Sequence, residues 1–406
     1  MLEDWCPNGW KRVTLRDLGH VGRGKSKHRP RDDSILYGGK YPFIQTGDVK
    51  KSEGRIVTYN QTYNEMGLAQ SKLWPKDTMC ITIAANIAET GILTFPACFP
   101  DSIIGFIPDL AKCNVFFIEY VFRFLKRYIQ HESVGTGTVQ DNINLQTIHR
   151  LEFPIPPLNI QNRLTSILKS FDDQIEFLRQ MNIALEKTIQ FIFKSWFVDF
   201  DGQTEFVDSE LGKIPKGWKV KPVGEVSKIN EQNIDKNYSY SYIEYIDIAS
   251  VSKGVLLETK ILPLENSPSR AKRIVKDYDI LWSTVRPNRK SYLMINESTP
   301  QLIASTGFAI ITSKFVPASF LYSHLTTEEF VNYLSYHSDG TAYPAVNPDW
   351  IGAYLIVVPP APIIENYDRI AKKIFDLIWD NRLIIPKLSE IRDSLLPKLM
   401  SGEIRV

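Results

Sequence analysis

Residues 159–198 are NIQNRLTSILKSFDDQIEFLRQMNIALEKTIQFIFKSWFV, a stretch in which apolar side chains recur at a regular spacing. The spacing alternates between four and three residues, and one asparagine falls within the series. Its members are Leu164, Leu168, Phe171, Ile175, Leu178, Asn182, Leu185, Ile189, Ile192 and Trp196. A heptad seam sustained over about four heptads is the pattern that two helices use to pair along their length. The stretch therefore predicts a long helix that pairs with a second helix.

A second run with the same periodicity lies near the end of the chain, at about 364–399. Its predicted seam is Tyr367, Ile370, Ile374, Leu377, Asn381, Ile384, Leu388, Ile391 and Leu395. Asn182 and Asn381 both fall at a-type positions, where a polar residue controls register at some cost in stability. Each helix packing only on its own globular domain is the alternative. If the helices pair, they are antiparallel, because the first carries the chain away from one domain and the second returns it. Pro386 lies outside the seam and should kink the second helix locally.

The rest of the chain is an internal repeat, which is the signature of duplicated architecture. The matched segments are 8–11 (NGWK) with 216–219 (KGWK), 43–49 (FIQTGDV) with 245–251 (YIDIASV), 135–136 (GT) leading to Asn142 with 340–341 (GT) leading to Asn347, and 154–157 (PIPP) with 359–362 (PPAP). We therefore predict an α+β fold in which two similar β-rich domains are joined by two long antiparallel coiled-coil helices. The predicted boundaries are 1–157 and 217–361 for the domains, 158–200 and 362–406 for the helices, and 201–216 for a linker.

This organisation itself points to a class of target. A helix of about forty residues spans about 60 Å. Two similar domains held apart by a helical spacer suit a bipartite target, as dimeric DNA-binding proteins use half-sites whose spacing follows protein geometry.

Residues 19–26 (GHVGRGKS) match the phosphate-binding pattern G-x-x-x-x-G-K-[ST]. That loop needs a buried strand before it and a helix after it. Here the preceding residues predict a short helical turn, Pro30 blocks a following helix, and the repeat has no equivalent motif. We therefore reject nucleotide binding. What remains is a basic loop with Arg23, Lys25, Lys27, Arg29 and Arg31, which is either a solvated charge run or a contact to the DNA backbone.

Residues 347–350 (NPDW) nearly match the motif with which amino-methyltransferases hold a flipped base. The third residue is Asp349 rather than proline, and no cofactor-binding loop of the required kind precedes it. The aligned segment of the first half is 142–145 (NINL). A loop present in both halves favours a structural role.

A second group of basic and polar residues lies in the second half, where 282–287 (WSTVRP) places hydroxyls and a guanidinium at the end of a strand. The matching strand end in the first half is 81–86 (ITIAAN). Arg can recognise guanine and Asn adenine bidentately, while Ser and Thr reach bases or phosphates. With the basic loop, the candidate DNA contacts are Arg23, Lys25, Lys27, Arg29, Thr82, Asn86, Arg270, Lys272, Arg273, Ser283, Thr284, Arg286, Arg289 and Lys290.

Composition narrows the class further. Net charge is only +2, so any affinity for DNA must come from local basic patches. The four cysteines and six histidines show no metal-ligand spacing and no disulfide framework, which favours a reduced cytosol. The chain has no signal-peptide pattern and no apolar run long enough for a membrane. We expect no metal site, no catalytic constellation and no membrane contact.

Six motifs resemble the specificity subunits of type I restriction-modification systems. They are 154–161 (PIPPLNIQ), 193–202 (FKSWFVDFDG), 210–218 (ELGKIPKGW), 283–288 (STVRPN), 340–351 (GTAYPAVNPDWI) and 395–406 (LLPKLMSGEIRV), and they lie across both halves. The resemblance implies two target recognition domains, each binding one half of an interrupted double-stranded DNA sequence, with helices that fix the spacer.

The same resemblance implies partners. The helices would dock two methyltransferase subunits that carry S-adenosylmethionine, and two restriction-translocase subunits would use ATP and Mg. This chain would hold no cofactor and no catalytic centre, and it would be cytoplasmic, in a bacterium or archaeon. Three alternatives stay open: the recognition subunit of a type II restriction-methylation enzyme, a self-sufficient methyltransferase or NTPase, and a coiled-coil scaffold without a DNA role.

Overall fold

The computed structural model describes residues 5–134, 143, 145–235, 237–340 and 344–405. The repeat positions 135, 136, 142 and 341 lie outside the described residues, as does Asn144. The chain divides into two compact units, Met1–Phe177 with Ile385–Val406 (unit 1) and Leu178–Ile384 (unit 2). Each unit thus contains one β-rich region and a segment of each long helix.

Unit 1 is built from two main sheets and the helices that cover them. Its strands are β1 (Lys11–Val13), β2 (Gly19–Arg23), β3 (Tyr37–Phe43), β4 (Gly54–Ile56), β5 (Gln61–Tyr63), β6 (Leu73–Trp74), β7 (Met79–Thr82), β8 (Thr90–Leu93), β9 (Ala97–Cys98), β10 (Ile103–Pro108) and β11 (Phe153–Ile155). Its helices are α1 (Leu15–Leu18), α2 (Thr46–Lys51), α3 (Glu65–Ala69), α4 (Val115–Val134), α5 (Leu145–Arg150) and the start of α6 (Leu158–Phe197). The sheet orders are β2-β10-β7-β8-β4 and β5-β3-β9-β6, and β1 pairs with β11.

Unit 2 has a similar but larger set of strands. Its strands are β12 (Phe206–Ser209), β13 (Gly212–Pro215), β14 (Lys219–Pro222), β15 (Ser227–Ile229), β16 (Tyr242–Ile246), β17 (Val251–Ser252), β18 (Val255–Leu256), β19 (Lys260–Pro263), β20 (Ala271–Ile274), β21 (Ile280–Ser283), β22 (Tyr292–Met294), β23 (Leu302–Ser305), β24 (Phe308–Ser313) and β25 (Leu355–Val358). Its helices are α7 (Val223–Val226), α8 (Ala318–Leu325), α9 (Glu328–Tyr336), α10 (Pro348–Ala353) and most of α11 (Ala361–Met400). The sheet orders are β15-β24-β21-β22 and β19-β16-β23-β20, and β14 pairs with β25.

Four strands of each main sheet follow the same order in both units: β2-β10-β7-β8 matches β15-β24-β21-β22, and β5-β3-β9-β6 matches β19-β16-β23-β20, while unit 1 adds β4 to its first sheet. This agreement confirms the internal repeat and the predicted α+β fold. The middle pair of the second sheet is parallel in both units, β3 with β9 and β16 with β23. Left-handed backbone residues also recur at equivalent places: Glu53 and Lys253, Asp77 and Tyr278, Ala85 and Arg286, Ala88 and Lys290. A positive φ is uncommon outside glycine, so its recurrence at these places indicates that the two units share the same turns.

The main core of each unit joins a sheet to the long helices. In unit 1, Phe106 of β10, Phe117 of α4 and Leu168 of α6 belong to one buried cluster, together with Leu396 of α11. In unit 2, Trp282 of β21, Phe320 of α8, Phe193 of α6 and Tyr367 of α11 form the corresponding cluster. Burying such aromatic and aliphatic side chains contributes about 1.5–3 kcal/mol each. The long helices are therefore part of both cores and not detached stalks.

The long helices pair antiparallel inside each unit, as predicted. In unit 1, Leu164 of α6 packs in one buried cluster with Leu399 and Met400 of α11, and Asp172 contacts Arg392 at 2.6 Å. In unit 2, Asn182 contacts Asn381 at 2.8 Å, while the ring centroids of Phe197 and Tyr367 lie 5.0 Å apart. The residue number thus falls along α11 as it rises along α6. The predicted helix of 159–198 is confirmed, with Pro156 and Pro157 separating it from β11.

The predicted seam of the second helix is wrong by one position over most of its length. Tyr367 and Asn381 are buried, but Leu377, Ile384 and Ile391 are exposed. The buried column instead contains Ala371, Ile378, Arg392, Leu396 and Leu399. Neighbouring apolar columns run along this helix, and the buried one includes an arginine, which periodicity alone would not select. In the first helix Asp172 and Phe193 are buried, whereas Phe171 and Ile192 are half-buried.

The segment predicted as a linker is folded. Residues 201–216 contain the hairpin of β12 and β13, in which Phe206 faces Pro215. Phe200 packs on Trp218 with ring centroids 5.5 Å apart. The end of α6 is therefore attached to the start of the second β-rich region by an ordered aromatic contact.

Candidate nucleic-acid interface

The loop after β21 in unit 2 has a backbone shape that places basic side chains at the surface. Arg286 and Lys290 are both left-handed, with φ values of 51° and 57°, and a short 3-10 turn (Pro287–Arg289) lies between them. A backbone bridge between Val285 and Ala345 holds the loop, and the Arg286 amide donates to the Pro344 carbonyl at 2.7 Å. The loop is thus rigidly attached at its base.

The hydroxyls predicted in this loop do not reach the surface. Ser283 is fully buried and its Oγ donates to the Val285 carbonyl at 2.9 Å. Thr284 is also buried and its Oγ1 donates to the Gly307 carbonyl at 2.9 Å. A hydroxyl that satisfies buried backbone groups is unavailable to a DNA groove. In this structure both hydroxyls are used inside the domain, and contact of Ser283 and Thr284 with DNA stays a prediction that their burial disfavours.

The equivalent loop of unit 1 follows β7 and also has two left-handed residues, Ala85 and Ala88. Thr82 is fully buried and its hydroxyl donates to the carbonyls of Asn86 and Glu89, so its burial disfavours the predicted DNA contact in the same way. The Asn86 side chain is half-exposed, and its Oδ1 accepts from Lys50 Nζ at 3.3 Å. Lys50 lies at the end of α2, and sequence reasoning missed it although the pair Lys50-Lys51 was a visible signal.

The glycine-rich stretch 19–26 is a strand followed by a short extended segment and not a phosphate-binding loop. Residues 19–23 form β2, which pairs with β10. The amides of Gly24 and Lys25 donate to the carbonyls of Ile103 and Phe99, and those of Lys27 and His28 donate to the Gln70 amide oxygen. These amides are used inside the domain, so they cannot converge on phosphate. A Cβ at Gly24 would lie 2.1 Å from the Pro100 carbonyl oxygen, which explains the glycine by close packing.

The basic side chains after β2 differ in their surroundings. Arg23 Nε donates to the Asp101 carbonyl, and Arg31 forms a 2.6 Å ion pair with the Asp101 carboxylate. Arg29 donates to the carbonyls of Ser26 and His28 at 2.8 Å each. Lys25 is half-buried and Lys27 is exposed. Asp101 thus neutralises part of a loop that has no acid in its own sequence.

The cluster on and near β20 is also partly engaged. Arg270 donates to Tyr245 Oη at 3.2 Å and to Asp247 at 2.7 Å, and these bonds raise the pKa of its guanidinium. Arg273 donates to Asn233 at 3.0 Å, and burial lowers the pKa of its guanidinium. Lys290 forms a 2.5 Å ion pair with Glu328.

A smaller set of basic residues is left to bind a partner. Over the described part of the chain, the side chains of Lys25, Lys27, Lys272 and Arg289 make no hydrogen bond or ion pair. Lys27, Lys272 and Arg289 are exposed. Each unit contributes two of the four, and such unpaired cations are the groups that neutralise phosphates.

The described residues contain neither a candidate metal site nor a helix suited to a membrane. Within them, no group of three or more histidine, cysteine, aspartate or glutamate side chains could hold a metal ion. Nor does any described helix have the length and apolarity that crossing a bilayer requires.

Comparison with known proteins identifies relatives over the whole chain. Residues 7–187 match the family model of the type I restriction modification DNA specificity domain. The chain is 26% identical over 415 residues to the type I restriction enzyme MjaIX specificity subunit of Methanocaldococcus jannaschii, covering 98% of this chain and 94% of that protein. It is 23% identical over 364 residues to the type I restriction enzyme HindI specificity subunit of Haemophilus influenzae, covering 72% and 79%.

A solved structure has the same fold. The crystal structure of the type I restriction-modification S subunit from M. genitalium superposes with a TM-score of 0.58 at 15% identity, covering 96% of each chain. These similarities confirm the resemblance that the sequence motifs carry.

Proposed function

Because residues 7–187 match the type I restriction modification DNA specificity domain and specificity subunits are similar over nearly the whole chain, we propose that each β-rich unit recognises one half of an interrupted DNA sequence. The observation that carries the proposal is the repeated loop. After β7 and β21 each loop contains two left-handed residues, Ala85 and Ala88 in unit 1 and Arg286 and Lys290 in unit 2, yet the loops present Ala85-Asn86 and Arg286 to Lys290 respectively. One scaffold with different side chains suits two half-sites of different sequence, since Asn prefers adenine and Arg prefers guanine.

Phosphate contacts would orient each unit on the duplex. Lys25 and Lys27 in unit 1, and Lys272 and Arg289 in unit 2, are the cations available for that purpose. Phosphate contacts position a protein on DNA, and base contacts then supply specificity. Arg23, Arg29, Arg270, Arg273, Arg286 and Lys290 remain candidate contacts, and contact with DNA would require their intramolecular interactions to be shared or exchanged.

The long helices are proposed to set the separation of the half-sites and to dock two methyltransferase subunits. Within unit 2, their outward faces expose Ile183, Phe191, Leu377, Leu383 and Ile384. Isolated exposed apolar residues are ordinary, but this many on one helical pair favours a helical partner. Leu377 and Ile384 of α11 belong to the predicted seam, which lies one position away from the buried residues. They would then form part of the surface that a partner covers.

Catalysis is assigned to the partners. S-adenosylmethionine would bind the methyltransferase subunits, while ATP and Mg would bind two restriction-translocase subunits. This chain would supply recognition and geometry alone, in a bacterial or archaeal cytoplasm.

The proposal is tested by expressing the chain with its methyltransferase partner and mapping methyladenine across the host genome. We expect modification at an interrupted motif, and none when either protein is expressed alone. A continuous motif would contradict the proposal. Calorimetry on the purified chain supplies a second arm, because tight binding of S-adenosylmethionine or ATP would favour a self-sufficient enzyme instead.

A further inference from the structure

In unit 1, an arginine side chain forms a hydrogen bond with a turn of the β-rich region. The turn joins α2 to β4 and consists of Glu53 and Gly54, with φ values of 48° and 101°. Arg123 of α4 donates to the Glu53 carbonyl at 3.1 Å and to both carboxylate oxygens of Glu119, at 3.2 and 2.9 Å. A Cβ at Gly54 would lie 2.1 Å from a terminal nitrogen of Arg123. The backbone conformation therefore favours glycine at position 54, and the missing side chain leaves room for the guanidinium.

The same arginine leads into a buried charge network that reaches both long helices. Asp172 of α6 lies 3.8 Å from Arg123, accepts from Tyr120 Oη at 2.5 Å and accepts from Arg392 of α11 at 2.6 Å. Glu119, Asp172 and Arg392 are 3%, 8% and 7% exposed. Burial raises the pKa of the Glu119 carboxyl, and the charge of Arg123 opposes that shift. The network joins the β-rich region, α6 and α11 of unit 1.

Unit 2 has an equivalent turn fastened by a different arginine. Lys253 and Gly254 are left-handed, with φ values of 36° and 83°. Arg382 of α11 donates to the Gly254 carbonyl and forms a 2.7 Å ion pair with Glu186 of α6. Here too one guanidinium connects a turn of the β-rich region to the helix pair. The two arginines come from different helices, α4 in unit 1 and α11 in unit 2. The same kind of contact is therefore made by residues that are not equivalent in the repeat.

A second polar contact also recurs on the helices. Lys169 lies over the Phe116 ring at 5.6 Å, and Asp173 pairs with Arg55 of β4. In unit 2, Lys372 of α11 lies over the Tyr278 ring at 4.8 Å, and Asp376 of α11 accepts from Asn296 at 3.1 Å. Each β-rich region is thus held to the helices by directional polar contacts at two places.

Stability alone does not account for the buried charges of Glu119, Asp172 and Arg392 in unit 1. Well-packed apolar residues of similar volume are often as stabilising as a buried ion pair or more so, because desolvation offsets the Coulomb attraction. Charge-assisted hydrogen bonds do fix geometry, since a guanidinium fork accepts few arrangements. The network therefore defines an orientation that apolar packing would leave less constrained.

Orientation matters for an interrupted DNA target. Adding one base pair between half-sites moves the second by about 3.4 Å and rotates it by about a tenth of a turn. We propose that Arg123, Asp172 and Arg392 in unit 1, with Glu186 and Arg382 in unit 2, are positioning residues that determine which spacer length the protein accepts. This inference rests on the proposed function and deepens it, because it assigns spacer selectivity to named contacts outside the DNA surface.

The test replaces the network by apolar residues of similar size. The triple variant Tyr120→Phe, Asp172→Leu and Arg392→Met removes one acid and one base together and leaves Arg123 paired with Glu119. The assembled complex of this chain and its methyltransferase partner is given plasmids whose half-sites are separated by graded spacers. We expect the wild-type half-sites to be kept, an unfolding midpoint near that of the wild type, and methylation of spacers one base pair away raised about tenfold relative to the preferred spacer.

A second variant and a control separate the possible outcomes. Glu186→Leu with Arg382→Met tests unit 2 independently, should the triple variant fail to fold. Lys194→Met removes an exposed ion pair with Asp199 on α6 and should change neither spacer nor half-site preference. Unaltered spacer selectivity in a folded network variant would overturn the inference while the proposed function stands. A wild-type complex that modifies a continuous motif would overturn the proposed function and this inference with it.

Discussion

Asn381 Nδ2 donates a 2.8 Å hydrogen bond to Asn182 Oδ1 across the helix pair of unit 2. Both side chains are buried, and Met181 Sδ lies 3.6 Å from the same Asn381 nitrogen. The two asparagines that the heptad pattern assigned to a-type positions are thus each other's partners. A buried amide pair satisfies its groups only in one alignment of the helices, so a slip of one turn would leave both amides without partners.

Removing one asparagine should therefore harm the protein more than removing both. Asn381→Leu leaves the Asn182 amide buried without its donor, which lowers the free energy of unfolding by about 1–3 kcal/mol. Asn182→Leu with Asn381→Leu should recover most of that loss. Urea unfolding of the single and double variants measures the difference. Equal losses in both would show that the amide pair does not act as a unit.

The buried hydroxyls separate structural residues from DNA contacts. Ser283→Ala should lower the free energy of unfolding by about 1 kcal/mol, because the Val285 carbonyl loses its donor, and should leave the recognised sequence unchanged. Arg289→Ala should lower affinity for DNA with unchanged stability, because this exposed side chain has no partner in the described chain. Thermal unfolding and DNA titration of the two variants make the comparison. A changed recognition sequence in Ser283→Ala would restore the groove-contact hypothesis.

Lys25 gives the sharpest test of the basic loop. Lys25→Ala should weaken DNA binding and reduce the slope of log K against log salt by about one unit, since one phosphate contact is lost. ATP use by the assembled complex should stay intact. Lys216→Ala is the matched control, because Lys216 is exposed and paired with Glu205 on the β12–β13 hairpin. If the complex with Lys25→Ala lost ATP hydrolysis while its affinity for DNA stayed unchanged, residues 19–26 would have to be interpreted as a nucleotide-binding loop.

A buried histidine should make unit 2 sensitive to acid. His324 packs edge-on against Phe193 and Phe320, each at 4.7 Å between ring centroids, and burial lowers its pKa to about 3. In the unfolded chain its pKa is about 6.5, so between these values only the unfolded state binds the proton. The contribution of neutral His324 to the free energy of unfolding is fully present above pH 6.5. It falls as the pH drops, by roughly 2 kcal/mol between pH 6.5 and 4.5.

The histidine term can be isolated by comparing variants at two pH values. His324→Phe should reduce the loss of stability between pH 6.5 and 4.5 by the amount above, because the phenyl ring does not titrate. The exposed His20, changed to Asn, serves as the control and should keep the wild-type loss. Equal acid sensitivity in all three proteins would assign the effect to other groups.

The sequence predicted the large features of the fold because they depend on local patterns. Prolines and heptads placed the first helix at 159–198, and the structure has it at Leu158–Phe197. Matching turns in the two halves predicted the repeat. These signals are carried by residues close in sequence, and a periodic run of this length leaves few alternatives.

The errors arose where partners are far apart in sequence. Arg392 is buried because Asp172 faces it, and the sequence around Arg392 does not indicate that Asp172 is its partner. Arg31 is neutralised by Asp101, and Ser283 is buried by the packing of β21 between β22 and β24. Residue chemistry identified side chains able to contact DNA. It did not show which of them fold inward, because burial is decided by tertiary packing.

An exchange of one β-rich region tests the central claim most directly. Residues 217–361 would be replaced by the matching region of a relative with a different target, and methyladenine would be mapped in cells that also express the methyltransferase partner. Independent recognition by the two units predicts that one half of the interrupted motif changes, while the other half and the spacer stay as in the wild type. Alteration of both halves, or modification of a continuous sequence, would contradict it.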